Sequence, residues 1–293
     1  MANGAAPTIG LWYDFRQRPP LGDYVRFYAE CLREIEEAEG LGFAGVWHSE
    51  HHFVDDGYLP SPLAVAAAIA IAARTERMTV GTNILLLPMH HPLRVAEGAA
   101  VADLISGERF VLGVELGYVQ LEFEVLGFDR RYRPPLFEEG LEVIKRAWEE
   151  GYTGYEGKRW RFEDLPFEPR PEKRPPIYIG AFADPAIDHA ARLAHGFLAS
   201  TGGGAFANTY RRVREALVRH GRADEDFPFV ASGVVHVHED LERVCVDVAP
   251  AISYQRSRYA EWSTDRDRPK PEPVRAEDLP WERHLVGGPE EVA

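Results

Sequence analysis

Short apolar runs alternate with amphipathic segments along almost the whole chain, and no other feature narrows the possible folds as far. IGLWYDF (9–15) reads as a strand, after which Asp23 opens a helix whose Tyr24, Phe27, Cys31, Leu32 and Ile35 recur at helical spacing until Gly40. GVWHSEHH (45–52) is a second strand, and Ser61 as N-cap with Pro62 behind it begins an Ala-rich helix to Arg74. MTVGTNILLLP (78–88) precedes a helix started by Pro92 and striped by Leu93, Ala96, Ala100 and Leu104, and RFVLGVELG (109–117) precedes one from about Pro135 to Glu150. PPIYIGAF (175–182), GFLASTG (196–202) and PFVASGVVHVH (228–238) lead in turn into helices from Asp184-Pro185, from Ala205 to His220, and near Leu241 to Trp262. Only the stretch at about 151–176 breaks the rhythm. Alternating aromatics in TGYEGKRWRF, around Glu156-Gly157, predict a small hairpin there, inserted into the ladder.

Strict alternation argues for a parallel sheet covered by helices, since each parallel crossover needs a helix on the sheet face. Seven such units are one short of a closed (β/α)8 barrel. The first strand-helix junction, WYDFRQRPPLGD, lacks a G-x-G-x-x-G turn, so a doubly wound dinucleotide fold has little support. The expectation is a single barrel domain over 1–293 with the hairpin insertion. HLVGGPEEVA at the end looks like the start of another helix, so the eighth strand-helix unit is expected to be missing through a C-terminal truncation.

A core of that size needs ordinary globular composition, and the chain has it, with 45% hydrophobic and 27% charged residues. The balance of 33 basic against 47 acidic residues gives −14, which speaks against a phosphate backbone as partner. MANGAAPTIG does not read as a leader, and no run approaches the roughly 18 apolar residues of a membrane span. Cys31 and Cys245 suit a reducing compartment rather than a disulfide scaffold, so the cytoplasm is expected, with neither nucleic acid nor membrane as partner.

In parallel barrels, side chains that serve function gather at the C-terminal ends of strands. WHSEHHFVDDGYLPSP (47–62) crowds His48, Glu50, His51 and His52 at such an end. Successive strand residues face opposite ways, so His48, Glu50 and His52 share one face while Ser49 and His51 share the other. Three chemistries suit that pattern. The side chains can simply be satisfied by neighbouring loops; they can form a His-x-Glu-x-His ligand set for Zn, Fe or Mn, helped by His236 and His238; or one histidine can serve a cofactor or substrate as acid, base or orienting group.

EHHF (50–53), GTNILLLPMHHPLRVAE (81–97), DLISGERFVLGVELGY (103–118) and PPIYIGAFADPAIDHAARLAHGF (175–197) occur in that order on the ladder. Together they resemble the bacterial luciferase-like family of flavin-dependent oxidoreductases, from about Ile9 onward. The resemblance implies a TIM-type (β/α)8 barrel, commonly a homodimer, that binds FMN or the deazaflavin coenzyme F420 at its C-terminal mouth and needs no metal. It implies an enzyme, most directly an FMN-dependent monooxygenase acting on a small organic substrate with O2 and reduced flavin from a separate reductase. A deazaflavin-dependent dehydrogenase or reductase is the alternative within the family. A metal-dependent barrel hydrolase and a non-catalytic flavin-binding protein are the rivals from other classes.

Position by position, the resemblance makes His51 the catalytic histidine at the reactive edge of the flavin, with Glu50 and His52 as supporting neighbours. It places Asn83 and Ile84 where relatives carry a non-prolyl cis peptide behind the ring, and Glu115 and Tyr118 along the cofactor. Arg133 matches a family arginine within reach of the phosphate, and Gly180, Ala181, Phe182 and Ala183 open a helix whose N–H groups can hold it. Several positions depart from the family pattern. Glu108 stands for Gly in SGERF, Glu115 replaces a small residue in GVELGY, His195 alters the LADGW pattern to LAHGF, and GAFAD lacks the Ser or Thr hydroxyls of many relatives. A carboxylate at 115 facing the pocket would repel an anionic phosphate.

Overall fold

The computed structural model describes residues 8–18, 21–64, 66, 75–152, 154–163, 165–199, 204–263, 269–279, 285–287 and 290. It divides into two compact units, Met1–Gly117 with Glu122–Ile179, and Tyr118–Leu121 with Gly180–Ala293. In the first unit the strands are β1 (Gly10–Tyr13), β2 (Gly45–His48), β3 (Thr79–Thr82), β4 (Leu85–Leu86), β5 (Phe110–Glu115), β6 (Tyr155–Glu156), β7 (Arg161–Phe162) and β8 (Ile177–Gly180). β1, β2, β3, β5 and β8 run parallel in that order, with β4 also beside β5. The expected hairpin is present as the antiparallel pair β6–β7.

Local chemistry explains where the elements begin. Asp23 caps the helix Tyr24–Gly40 by accepting from the amides of Val25 and Arg26, and the helix buries Cys31 and Ile35. Pro92 starts the helix Pro92–Ser106, whose Leu93, Ala96 and Ala100 are buried while Leu104 lies exposed. That helix closes on Gly107 at φ 68°, and Glu108 follows at φ 62°, a left-handed conformation that a glycine would adopt more cheaply. The departure from SGGRF therefore sits at a strained position, and Glu108 faces Lys173 at 3.0 Å across the surface.

The sheet core alternates as period two requires. Val46, Val80, Leu112, Val114, Ile177 and Ile179 are buried, and the helix Arg133–Ala147 adds Val143 and Ile144. On the opposite face of β2, the Trp47 ring stacks on Tyr178 and fills the space beside Gly81, where an added Cβ would lie 2.3 Å from Cζ3 of the indole.

Up to residue 126, three elements differ from expectation. The strand over 78–88 is interrupted at Asn83–Ile84, which is joined by a cis peptide, and a 3-10 turn, Leu87–Met89, follows β4. The second strand stops at His48, so Ser49 to His52 form a loop whose backbone is tied elsewhere. A short helix, Gln120–Leu126, fills the stretch after β5 where none was expected. The expected helix from Ser61 to Arg74 lies largely outside the described residues, as does most of the helix start in HLVGGPEEVA.

In the second unit, the helix Asp184–Leu193 is followed by β9 (Gly196–Ala199), the helix Gly204–Arg219 and β10 (Phe229–Ala231), with β9 and β10 parallel. The expected strand over 228–238 is split. Its second part, β11 (Val235–Val237), pairs in parallel with β12 (Leu285–Gly287), and the helix Leu241–Trp262 lies between them in sequence. Among the described residues, no helix is long and apolar enough to cross a membrane.

Candidate active site

Beyond β2 the loop sends alternate side chains into two separate polar networks. Glu50, 1% exposed, accepts at Oε1 from His52 Nε2 (2.9 Å) and His90 Nε2 (2.7 Å), while Oε2 accepts from the backbone N–H of Leu86 (2.7 Å). Burial works to raise its pKa, but the imidazoles of His90 and His52 outweigh it and bring the carboxyl down to about 2. Burial acts to lower His52, yet the hydrogen bond and charge of Glu50, with Glu122 adding, raise it overall.

His51 belongs to the other network. Its Nδ1 lies 2.8 Å from Oε1 of Glu122, and the same oxygen accepts the backbone N–H of His52 at 2.8 Å. A backbone amide can only donate, so this oxygen is an acceptor and the proton between the pair sits on Nδ1. The His51 ring packs edge-on against Tyr58, 4.9 Å between centroids, and the Tyr58 hydroxyl bonds Ser49 Oγ. The His51 amide donates to Leu59 O at 3.2 Å, which fixes the loop at this point. Both His51 and Glu122 are buried, at 6% and 1% exposure.

His48 does not join Glu50 and His52, although the strand period put it on their face. Fully buried, it donates from Nε2 to the carbonyl of Pro62 at 2.7 Å, and burial pulls it down to about 4. It is a neutral interior histidine. Glu50, His52 and His90 do bring three donor atoms together that could hold a metal ion. Their spacing is that of hydrogen bonds, however. Ligands about 2.0 Å from a tetrahedral ion stand roughly 3.3 Å apart, whereas the imidazole nitrogens here lie 2.9 and 2.7 Å from the carboxylate oxygen.

Asn83 holds its place through two backbone bonds, its N–H to His48 O at 2.7 Å and its carbonyl from Trp12 Nε1 at 2.9 Å. Ile84 packs with Phe128 on the buried cluster of Leu86, Met89 and Phe123, an apolar surface next to the cis peptide. Glu115 ends β5, and burial pushes its carboxyl up to about 7 against the pull of Arg133. Arg133 heads its helix rather than preceding it; burial and Arg130 lower its pKa while Glu115 opposes them.

The remaining expected residues belong to the second unit. Tyr118 precedes the short helix, and Ala183 is the N-cap of Asp184–Leu193 without a side-chain cap. Ala181 is buried, Phe182 is exposed, and the carbonyl of Phe182 accepts from Arg212 Nη2 at 2.9 Å. Arg212 also grips Asp184 Oδ1, placing a cation beside this helix start that sequence reasoning missed. Glu122, His90 and Tyr58 were missed as well. The one available signal for Glu122 was an acid in the first turn of a helix after a strand end; QLEFEVL is rich in helix formers, but at seven residues it is short for a helix to be read from pattern alone.

The family model for luciferase-like monooxygenases matches residues 8–293, and the chain belongs to that family. Its α/β fold is the TIM-barrel type of that family. The monooxygenase RslO1 of Streptomyces bottropensis superposes with a TM-score of 0.81 at 26% identity, over 98% of this chain and 86% of that one. Among curated relatives, the alkanal monooxygenase alpha chain of Photorhabdus luminescens is 33% identical over 60% of this chain and 49% of its own length. The F420-dependent glucose-6-phosphate dehydrogenase of Microbacterium testaceum is 30% identical over 69% of this chain and 62% of its own. The matched stretch thus spans about half to three fifths of these relatives.

Proposed function

We propose that the chain is an FMN-dependent monooxygenase that oxygenates a small apolar or aromatic substrate, using reduced flavin from a separate reductase. The observation that carries this reading is the buried His51–Glu122 pair at the strand mouth, with Phe123, the residue after Glu122, in the apolar cluster of Leu86 and Met89 on which Ile84 packs. Ile84, only partly buried on that cluster beside the cis peptide, offers an apolar contact for a flat ring, and a Glu115 carboxyl raised to about 7 beside Arg133 carries less charge to repel a phosphate. The residues of the first unit therefore fit FMN, with Arg133 as a partner for its phosphate. FMN supplies the electron pair and the site for O2 when bound.

The chain's own residues do the rest. His51, fixed at Nδ1 by Glu122, can hold or move one proton at the reacting edge. The Tyr58 ring packs edge-on against His51 and both are buried, a dry setting in which a hydrogen bond is stronger than in water. The dehydrogenase relative favours a second reading, hydride transfer with deazaflavin on the same scaffold. Titration with FMN and with coenzyme F420, followed by fluorescence quenching, tests the choice. FMN binding together with substrate-coupled O2 uptake is expected; saturation by F420 with no response to FMN would move the assignment to the dehydrogenase.

A further inference from the structure

The buried carboxylates of the first unit do not all do the same work. Glu39 receives the backbone N–H groups of Glu76, Arg77 and Met78 and so anchors the turn before β3. Glu50 spends both oxygens on fixed donors. Glu122 is as deeply buried, yet only Oε1 is engaged, and Oε2 has no hydrogen-bond partner among the described residues. A half-satisfied interior carboxylate is costly, so capping one loop amide does not account for it.

We propose that Glu122 is the positioning residue for His51, fixing the ring through Nδ1 and holding the neutral imidazole as the Nδ1–H tautomer. The bond spans 71 positions and joins the loop after β2 to the helix Gln120–Leu126. The second bond from Oε1, to the His52 amide, leaves the carboxylate little freedom to swing away. Free imidazole interconverts its tautomers readily, so a fixed acceptor at Nδ1 is what decides which nitrogen works. The value of this arrangement to catalysis rests on the monooxygenase reading, but the tautomer does not depend on it.

The test is the nitrogen-15 spectrum of histidine-labelled, ligand-free protein at about pH 8.5, where an ordinary imidazole is neutral. His51 signals are assigned by their loss in His51→Gln. The wild type should show Nδ1–H at His51, and Glu122→Gln should keep it, because the amide oxygen still accepts. Glu122→Leu should lose it and populate Nε2–H, with far-UV dichroism unchanged. If the leucine variant does not fold, Glu122→Asp, which withdraws the oxygen by one methylene, should show the same reversion. An Nε2–H wild type, or Nδ1–H retained in every folded variant lacking the acceptor, would overturn the proposal. Since no cofactor is present, failure of the FMN reading leaves this result standing.

Discussion

Glu50 and Glu122 are both 1% exposed, both accept from imidazoles of one loop, and both lie in the first unit, yet they are built for different ends. Around Glu50 every acceptor is spent, two imidazoles and a backbone amide converge, and the carboxyl is held at about 2. Around Glu122 one oxygen serves two donors and the other, among the described residues, serves none. The first arrangement is a clamp, in which stability comes from complete pairing. The second keeps a polar group in reserve, which folding alone does not reward. Neighbouring positions in EHH thus divide structure from chemistry, one residue apart.

The largest effect should come from breaking the clamp. Glu50→Ala strands His52, His90 and the Leu86 amide, and should destabilise the fold by about 3–5 kcal/mol, measured by urea unfolding. A loss under about 1 kcal/mol would show the network to be ornamental. Its pH signature follows from the sign of the shift. The folded pKa lies near 2, below the ordinary 4.5, so the contribution is full above pH 4.5 and is lost as pH falls through 2. Glu50→Gln should flatten stability across that window, and an unchanged acid limb would place the acid sensitivity elsewhere.

His51→Ala should do the opposite of Glu50→Ala, lowering turnover by about 10²-fold with little change in melting temperature. Full turnover would remove His51 from the chemistry. Arg133→Ala touches neither network, and should weaken FMN affinity by about 1.5–3 kcal/mol through loss of a charge-assisted phosphate contact. Equal affinity by fluorescence quenching would make Arg133 structural. Smallest is Phe53→Gly. Phe53 follows the loop at φ 57° with its ring 53% exposed, so glycine should raise stability by about 0.5–1 kcal/mol, read as a small rise in melting temperature.

Much of this architecture was legible because it is written locally. The Asp23 cap, the Pro92 helix start and the hairpin at Glu156 each depend on residues within a few positions, and each stands where the pattern put it. The division of faces in EHH was legible too, for Glu50, His52 and His51, even though the strand stops at His48. His48 broke the pattern because a carbonyl fourteen residues on, that of Pro62, claimed its ring. Glu122 was out of reach for a different reason: nothing in QLEFEVL points back to residue 51, and only the folded backbone makes them neighbours. Propensity hid the break between β3 and β4, since TVGTNILL reads as one continuous strand; only the family resemblance pointed to a cis peptide at Asn83–Ile84, and it is there.

The packing of Trp47 against Gly81 also bears on how such a chain can change over generations. With 2.3 Å between a Cβ at 81 and the indole, no side chain fits there until the tryptophan has gone, and a smaller residue at 47 alone leaves a void beside Tyr178. Either single step is penalised, so the two positions are inherited as one character. Descendants that remodel this layer must cross a valley in two mutations, while the loops above it can drift one substitution at a time.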